Sequence, residues 1–118
     1  MDYNKMLLGK TALITSGALG IGKEIAISFA KQGANVIIAD INKEELLNTL
    51  KILKEITKAG AYEYDMGNSN AIKNLIKQIR SDFGSIDILV NSVGINERTP
   101  IHEIEEDVFE KILNFLNE

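Results

Sequence analysis

Cysteine does not occur in this 118-residue sequence, and its absence excludes disulfide bridges and thiolate metal sites. Proline occurs once, and no linker-like segment divides the chain, so we expect residues 1–118 to form a single domain. Residues 1–10 contain no long apolar run, which argues against a signal peptide, a transmembrane helix and a membrane partner. A surplus of basic residues is also missing, because the net charge is −4, and this argues against nucleic acid as a partner. We therefore expect a cytoplasmic protein.

What the sequence does contain is a regular alternation of short apolar runs and amphipathic segments. The apolar runs are typical of buried strands, and the segments between them have apolar residues at helical spacing. The predicted strands are residues 10–15, 34–39, 61–64 and 86–90. The first and last predicted helices are residues 21–32 and 104–116. The second is capped by Asn42, with Glu45 as the capping-box acid, and ends near residue 58. The third is capped by Asn68 or Ser69 and carries the apolar residues Ile72, Leu75, Ile76 and Ile79. Nearly all-apolar strands that alternate with helices indicate a parallel sheet covered on both faces. We therefore predict an α/β fold, a doubly wound parallel sheet of the Rossmann type.

A glycine-rich turn lies between the first predicted strand and the first predicted helix, and it contains Gly17, Gly20 and Gly22. A dinucleotide pyrophosphate binds to backbone N–H groups at a helix N-terminus, and glycines allow the backbone to approach it closely. The order strand, turn, helix therefore favours a phosphate-binding turn over a tight turn without a ligand. The strict G-x-G-x-x-G fingerprint is not met, because Ile25 occupies its third glycine position.

The same turn partly matches a second phosphate-binding motif, the Walker A loop. Gly17, Gly22 and Lys23 fit the pattern G-x-x-x-x-G-K, but Glu24 follows where that loop needs Ser or Thr to bind Mg²⁺. A P-loop-like nucleotide hydrolase is therefore kept as an alternative to dinucleotide binding.

An acidic residue, Asp40, follows the second predicted strand and lies 18 residues after Gly22. An acid at about that position accepts hydrogen bonds from the ribose hydroxyls of NAD and repels the 2′-phosphate of NADP. The simpler interpretation is an acid favoured by the dipole of the next helix. The order of strand, turn, helix, strand and acid favours NAD.

Four segments of the chain together resemble motifs of the short-chain dehydrogenase/reductase family. Residues 8–15 are similar to its lead-in, which contains G-K-x-x-x-I-T, residues 15–22 to its T-G-x-x-x-G-I-G loop, and residues 87–94 to its D-I-L-V-N-N-A-G segment. Asp65, followed by Met66, matches the aspartate that the family uses near the adenine ring. The match runs along almost the whole chain but corresponds only to the family's N-terminal, cofactor-binding part. It implies a sheet truncated after about four strands relative to the family.

The resemblance implies that the glycine-rich turn and the ends of the strands bind NAD. The cofactor-binding residues that it implies are Ser16, Gly17, Leu19, Gly20, Ile21, Gly22, Asp40, Ile41, Asp65, Met66, Asn91, Ser92, Val93 and Gly94. Three of them depart from the family pattern, since Ser16 replaces the first loop glycine and Ser92 and Val93 replace Asn and Ala. Ser16 fits a tight turn only at a cost in backbone strain, and Val93 is bulkier than Ala beside the cofactor.

The family's catalytic Ser and its Tyr-x-x-x-Lys pair lie further along than these 118 residues reach. In that pair the Lys lowers the pKa of the Tyr hydroxyl, so that it exchanges a proton with the carbonyl or alcohol. Each tyrosine of this chain is followed four positions later by a residue other than lysine: Tyr3 by Leu7, Tyr62 by Met66 and Tyr64 by Asn68. The family's catalytic Asn aligns with Leu116. We therefore expect the NAD-binding portion of an oxidoreductase acting on alcohols or ketones, without catalytic residues and inactive by itself.

The alternative to part of an oxidoreductase is a non-catalytic nucleotide-binding or self-associating module. In the doubly wound strand order, a chain that stops after its fourth strand leaves residues 86–90 at a sheet edge. An apolar edge invites pairing with another chain. We expect a homo-oligomer formed through that edge or through helices, unless the last helix covers the edge.

We predict no metal site, because the acids and the single histidine do not form a convergent set of ligands. They are interpreted as surface or helix-end groups and are Asp87, His102, Glu103, Glu105, Glu106 and Asp107.

Overall fold

The computed structural model of the protein describes residues 6–16, 18, 20–64, 69–91 and 110–117. Strands and helices alternate along this part of the chain. The elements are β1 (Thr11–Thr15), α1 (Gly20–Lys31), β2 (Asn35–Asp40), α2 (Lys43–Lys54), β3 (Ala59–Glu63), α3 (Ser69–Phe83), β4 (Ile88–Asn91) and α4, described over residues 110–116. Within the described ranges, no helix has the length and apolar character needed to cross a membrane.

The four strands form one parallel sheet in the order β3-β2-β1-β4. β1 lies between two partners, with Leu13 opposite Ile37 of β2 and Leu89 of β4. β2 pairs on its other side with β3, where Ile38 lies opposite Ala61. The chain therefore runs outward from β1 to β3 and then returns to the other side of β1. This order confirms the predicted Rossmann-type α/β fold and places β4 at one end of the sheet.

Neighbouring residues of the central strands contribute to opposite faces of the sheet, because side chains alternate along a strand. One face packs against α1 and α2, and its buried residues include Ile14, Ile38, Ala26, Leu46 and Leu53. The other face packs against α3 and α4, and its buried residues include Leu13, Ile37, Ile72, Ile76 and Ile112. Burial on both faces holds for β1 and for the middle of β2, whereas β3 and β4 are mostly half-buried. The layers thus form around the two central strands.

Local signals explain where α1 and α2 begin and end. Asn42 caps α2, since its side chain accepts a hydrogen bond from the backbone N–H of Glu45 at 3.1 Å. Glu44 and Glu45 lie in the first turn of that helix, where the helix dipole favours acids. Gly33 follows α1 with φ +94°, as expected of a glycine that ends a helix in the left-handed conformation. Both signals are readable in the sequence.

Long-range pairing explains where the observed bounds differ from the predicted ones. α2 ends at Lys54 rather than near residue 58, and the Thr57 hydroxyl instead donates to the carbonyl of Ala34 at 2.7 Å. β3 begins at Ala59 rather than at residue 61, because Ala59 and Gly60 lie opposite β2. Gly60 has no apolar side chain that would have marked it as part of a strand.

The position of β4 is likewise decided by its neighbour. It spans Ile88–Asn91 rather than residues 86–90, because Ala12 and Thr15 of β1 lie opposite its first and last residues. α3 spans Ser69–Phe83, so it contains the predicted apolar residues and continues one turn beyond Ile79. The first part of the predicted final helix lies outside the described residues.

Candidate functional site

The ends of β1, β2 and β4 bring three polar side chains to one edge of the sheet. The three strands are parallel and end with Thr15, Asp40 and Asn91. Thr15 lies opposite Ala39 on one side and Asn91 on the other. The carboxyl ends of parallel strands in a doubly wound sheet are where ligands bind. This edge is therefore the candidate site.

At the start of the glycine-rich loop, directly after β1, the backbone has a conformation that residues with a side chain rarely adopt. Ser16 has φ +58° and Gly20, the first residue of α1, has φ +57°. The N–H of Ser16 donates to the carbonyl of Ala39 at 2.7 Å, which fastens the loop to β2. Among the described residues, a Cβ atom built on Gly20 meets no atom within 4 Å apart from its chain neighbours and the backbone of its own helix, so open space adjoins the start of the helix. The first N–H groups of a helix have no partner within it and attract anions.

Asp40 links the loop to the start of α2. Its Oδ2 accepts a hydrogen bond from the N–H of Ala18 at 3.2 Å, and its Oδ1 accepts one from the N–H of Asn42 at 3.1 Å. An ionised carboxylate has about four acceptor positions, so both oxygens retain capacity for a ligand hydroxyl. The side chain is half-buried. Asp40 therefore accepts hydrogen bonds from the backbone and can accept further hydrogen bonds from a ligand.

Asn91 is held by a direct side-chain contact with β1. The buried hydroxyl of Thr15 donates to Oδ1 of Asn91 at 2.6 Å. This bond connects the residue that precedes the glycine-rich loop with the last residue of β4. The carbonyl oxygen of the Asn91 side chain is thereby directed toward β1.

Asp87 lies at the opposite end of the sheet from these residues. From the sequence it is expected to be a solvated or helix-end acid, and its side chain is exposed. Its Oδ2 accepts a hydrogen bond from the N–H of Thr11 at 2.9 Å, and its own N–H donates to the carbonyl of Thr11 at 2.8 Å. Asp87 is therefore more than a solvated acid, because it joins the beginnings of β1 and β4. Only the order of strands in the sheet reveals this pairing.

The glycine-rich loop and the polar residues at the carboxyl edge of the sheet belong to a segment that matches a known protein family. A family model described as short chain dehydrogenase matches residues 10–116. The chain belongs to the short-chain dehydrogenase family. The glycine-rich loop, Asp40 and Asn91 all lie within the matched residues.

Relatives resemble almost the whole chain but are much longer than it. The chain is 40% identical over 109 residues to an uncharacterized oxidoreductase of Bacillus subtilis, YxbG. This match covers 91% of the present chain and 40% of that protein. It is 39% identical over 108 residues to a diacetyl reductase, (S)-acetoin forming, of Staphylococcus epidermidis, with coverage of 91% and 42%. The chain thus spans about two fifths of the length of these relatives.

Solved structures have the same fold over about half of their length. A hydroxysteroid dehydrogenase from Escherichia coli superposes with a TM-score of 0.82 at 30% identity, covering 96% of this chain and 51% of that one. An NAD⁺-bound xylitol dehydrogenase gives a TM-score of 0.82 at 22% identity, covering 95% and 48%. L-sorbose reductase from Gluconobacter frateurii, complexed with NADPH and L-sorbose, gives 0.78 at 26% identity, covering 96% and 48%. Of these structures, the xylitol dehydrogenase contains NAD⁺ and the L-sorbose reductase contains NADPH.

The structure describes half of the residues that the sequence analysis assigned to the cofactor, and these lie at or next to the carboxyl edge of the sheet. They are Ser16, Gly20, Ile21, Gly22, Asp40, Ile41 and Asn91. Ile21 and Ile41 are 52% and 62% exposed, so apolar surface adjoins the loop and the end of β2. The remaining assigned residues lie outside the described residues and are Gly17, Leu19, Asp65, Met66, Ser92, Val93 and Gly94. His102 and the acids at positions 103, 105, 106 and 107 lie outside them as well.

Three residues that contact the site were missed by sequence reasoning. Thr15 and Ala18 lie inside motifs that were recognised, but neither was assigned a role. Thr49 is far from every motif, and its hydroxyl donates to the carbonyl of Ala18 at 2.9 Å. The sequence signal that could have indicated this contact is a hydroxyl on the apolar side of α2, where Leu46 and Leu53 are also buried.

Replacing Ser16 with glycine is expected to stabilise the protein by about 0.5–1 kcal/mol. A side chain at φ +58° destabilises the folded state by about 1–2 kcal/mol. Glycine removes this strain, but its greater unfolded-state entropy lowers the stability by about 0.5–1 kcal/mol. The measurement is the free energy of unfolding in urea. Ser28→Gly is the matched control, because the same change within the helical part of α1 is expected to destabilise. A loss of stability in both variants would contradict the assignment of strain to Ser16.

Proposed function

We propose that this chain is the NAD-binding portion of a short-chain dehydrogenase that transfers hydride between an alcohol or ketone and the cofactor. The observation that carries the proposal is the position of Asp40, at the end of β2 and hydrogen-bonded to the glycine-rich loop at Ala18. An acid beside the loop is suited to accept hydrogen bonds from the ribose diol, while the loop and the start of α1 bind the pyrophosphate. The bound cofactor would supply the hydride acceptor or donor.

The same carboxylate favours NAD over NADP. A 2′-phosphate carries negative charge and would lie close to the half-buried Asp40 side chain, where like charges repel. Known structures of this fold hold NAD⁺ in one case and NADPH in another, so the fold alone does not decide between them. Ile21 and Ile41, both exposed, provide apolar contact surface for the adenosine end.

We further propose that the chain does not catalyse hydride transfer by itself. No tyrosine in the sequence is followed by lysine four positions later, so the acid-base pair of the family is not supplied by these residues. The groups that this chain does supply would bind and orient the adenosine half of the cofactor.

The proposed function is tested by calorimetric titration with NAD⁺, NADP⁺ and Mg-ATP, together with an assay for alcohol oxidation. The expected result is binding of NAD⁺ about tenfold or more tighter than NADP⁺, a difference of about 1.4 kcal/mol, without turnover. Tighter binding of NADP⁺ would contradict the role of Asp40. Binding of Mg-ATP but not NAD⁺ would favour a P-loop-like hydrolase, and no binding at all would favour a structural module.

The surroundings of β4 support a proposal about partners. In the ranges that the structure describes, β4 pairs with β1 on one side and with no strand on the other. Its residues Ile88, Leu89 and Val90 are only half-buried, and an apolar strand edge is a template for pairing. We propose that the chain forms homo-oligomers through this edge, within the cytoplasm. Sedimentation equilibrium is expected to show dimers or larger species, and a strict monomer would contradict the proposal.

A further inference from the structure

A buried hydroxyl on α2 contacts the glycine-rich loop. Thr49 is fully buried on the side of α2 that also carries Leu46 and Leu53. Its hydroxyl donates to the carbonyl of Ala18 at 2.9 Å, a contact between residues 31 positions apart. Burying a hydroxyl is costly unless it is hydrogen-bonded, and this bond satisfies it at the loop.

Ala18 is thereby held through both of its backbone polar groups. Its N–H donates to Oδ2 of Asp40 at 3.2 Å, and its C=O accepts from Thr49. Its side chain is fully buried among the residues between the sheet and the helices α1 and α2. Ala18 lies between Ser16 and Gly20, which both have positive φ. Ala18 is thus held by two hydrogen bonds and by the burial of its side chain.

We propose that Thr49 is a positioning residue for the cofactor, acting through the glycine-rich loop. The hydroxyl fixes the carbonyl of Ala18, and this holds the backbone that leads into Gly20 and the first turn of α1. The N–H groups of that turn then keep the alignment that a pyrophosphate requires. The inference rests on the proposed function, because it assigns the loop to NAD binding. Thr49 itself is buried beneath the loop and has no contact with the cofactor in this mechanism.

The test is Thr49→Val, which keeps the shape of the side chain and removes the donor. The carbonyl of Ala18 is then left without this partner in a buried position, which is unfavourable. We expect the dissociation constant for NAD⁺, measured by calorimetry well below the unfolding temperature, to rise about fivefold or more, equivalent to about 1 kcal/mol. Thr49→Ser retains the hydroxyl and is expected to restore most of the affinity.

The chain offers a matched control for a merely structural role. The hydroxyl of Thr57 also donates to a backbone carbonyl, that of Ala34, at 2.7 Å. Ala34 precedes β2, so this bond lies at the end of the strand opposite Asp40. Thr57→Val is expected to lower the unfolding temperature without changing NAD⁺ affinity. Equal affinity losses in the two valine variants, or no loss in Thr49→Val, would overturn the proposal.

A second measurement separates this inference from the proposed function. Amide hydrogen exchange over residues 16–24 of the full chain, without cofactor, is expected to be faster in Thr49→Val than in the wild type and in Thr57→Val. Unchanged exchange would overturn the positioning role even if NAD⁺ binds. Faster exchange in a protein whose wild type fails to bind NAD⁺ would support the control of the loop by Thr49 and overturn the proposed function.

Discussion

Replacing Gly20 with alanine is expected to weaken NAD⁺ binding about tenfold or more while leaving the protein folded. Gly20 has φ +57° at the first residue of α1, and its missing Cβ atom would face space in which the described residues outside its own helix place no atom within 4 Å. A methyl group there would occupy the region in which the pyrophosphate approaches the backbone. The measurement is calorimetric titration with NAD⁺.

Gly84→Ala is the matched control for this substitution. Gly84 follows α3 with φ +82°, and a Cβ atom there also meets no atom of the described residues within 4 Å, its chain neighbours apart. Both variants therefore incur the cost of alanine in the left-handed conformation, about 1 kcal/mol of unfolding free energy. Only Gly20→Ala is expected to lose affinity. Similar affinities of the two variants for NAD⁺ would show that the open space at Gly20 is not a cofactor site.

The second large effect is expected at Asp40, where asparagine should remove the preference for NAD⁺ over NADP⁺. The substitution removes the negative charge and leaves one of the two oxygen acceptors, so Ala18 and Asn42 no longer both have their partner. Hydrogen bonds to charged groups contribute about 1.5–3 kcal/mol, so affinity for NAD⁺ is expected to fall about tenfold or more. Affinity for NADP⁺ is expected to rise relative to NAD⁺, because the repulsion of the 2′-phosphate is lost. Parallel titrations with the two cofactors measure the ratio.

A nearby acid provides the control for a general effect of charge. Glu44 is exposed in the first turn of α2, and Glu44→Gln removes one negative charge without touching the hydrogen bonds of the loop. Its ratio of NAD⁺ to NADP⁺ affinity is expected to match the wild type. An equal change in Glu44→Gln and Asp40→Asn would refute a specific role for the carboxylate at the end of β2.

Prediction of local structure from the sequence was accurate where the signal depends on neighbouring residues. The turn between β1 and α1 has its glycines within one short segment, and Asp40, the last residue of β2, follows at the spacing typical of dinucleotide-binding folds. The cap formed by Asn42 was likewise predicted and is confirmed by its bond to the N–H of Glu45. These features depend on neighbouring residues in the chain, so composition and spacing are enough to identify them.

Prediction was less exact where the partner is distant in sequence. Pairing with β2 brings Ala59 and Gly60 into β3, although glycine gives no strand signal. Asp87 was interpreted as a solvated acid, but it bonds to Thr11, 76 positions away. A residue's own sequence neighbourhood carries no information about such a partner.

The order of strands and helices, the α/β class and the positions of the glycine-rich turn and of Asp40 follow from the sequence alone. Each of these depends on periodicity or on the conformational properties of single residues, which act over a few positions. Only the tertiary structure decided that Ala18 is held between Asp40 and Thr49, and that Thr15 directs the side chain of Asn91. The physical reason is that these bonds form where separate parallel strands and α2 converge, and only the packing of the sheet brings those residues together.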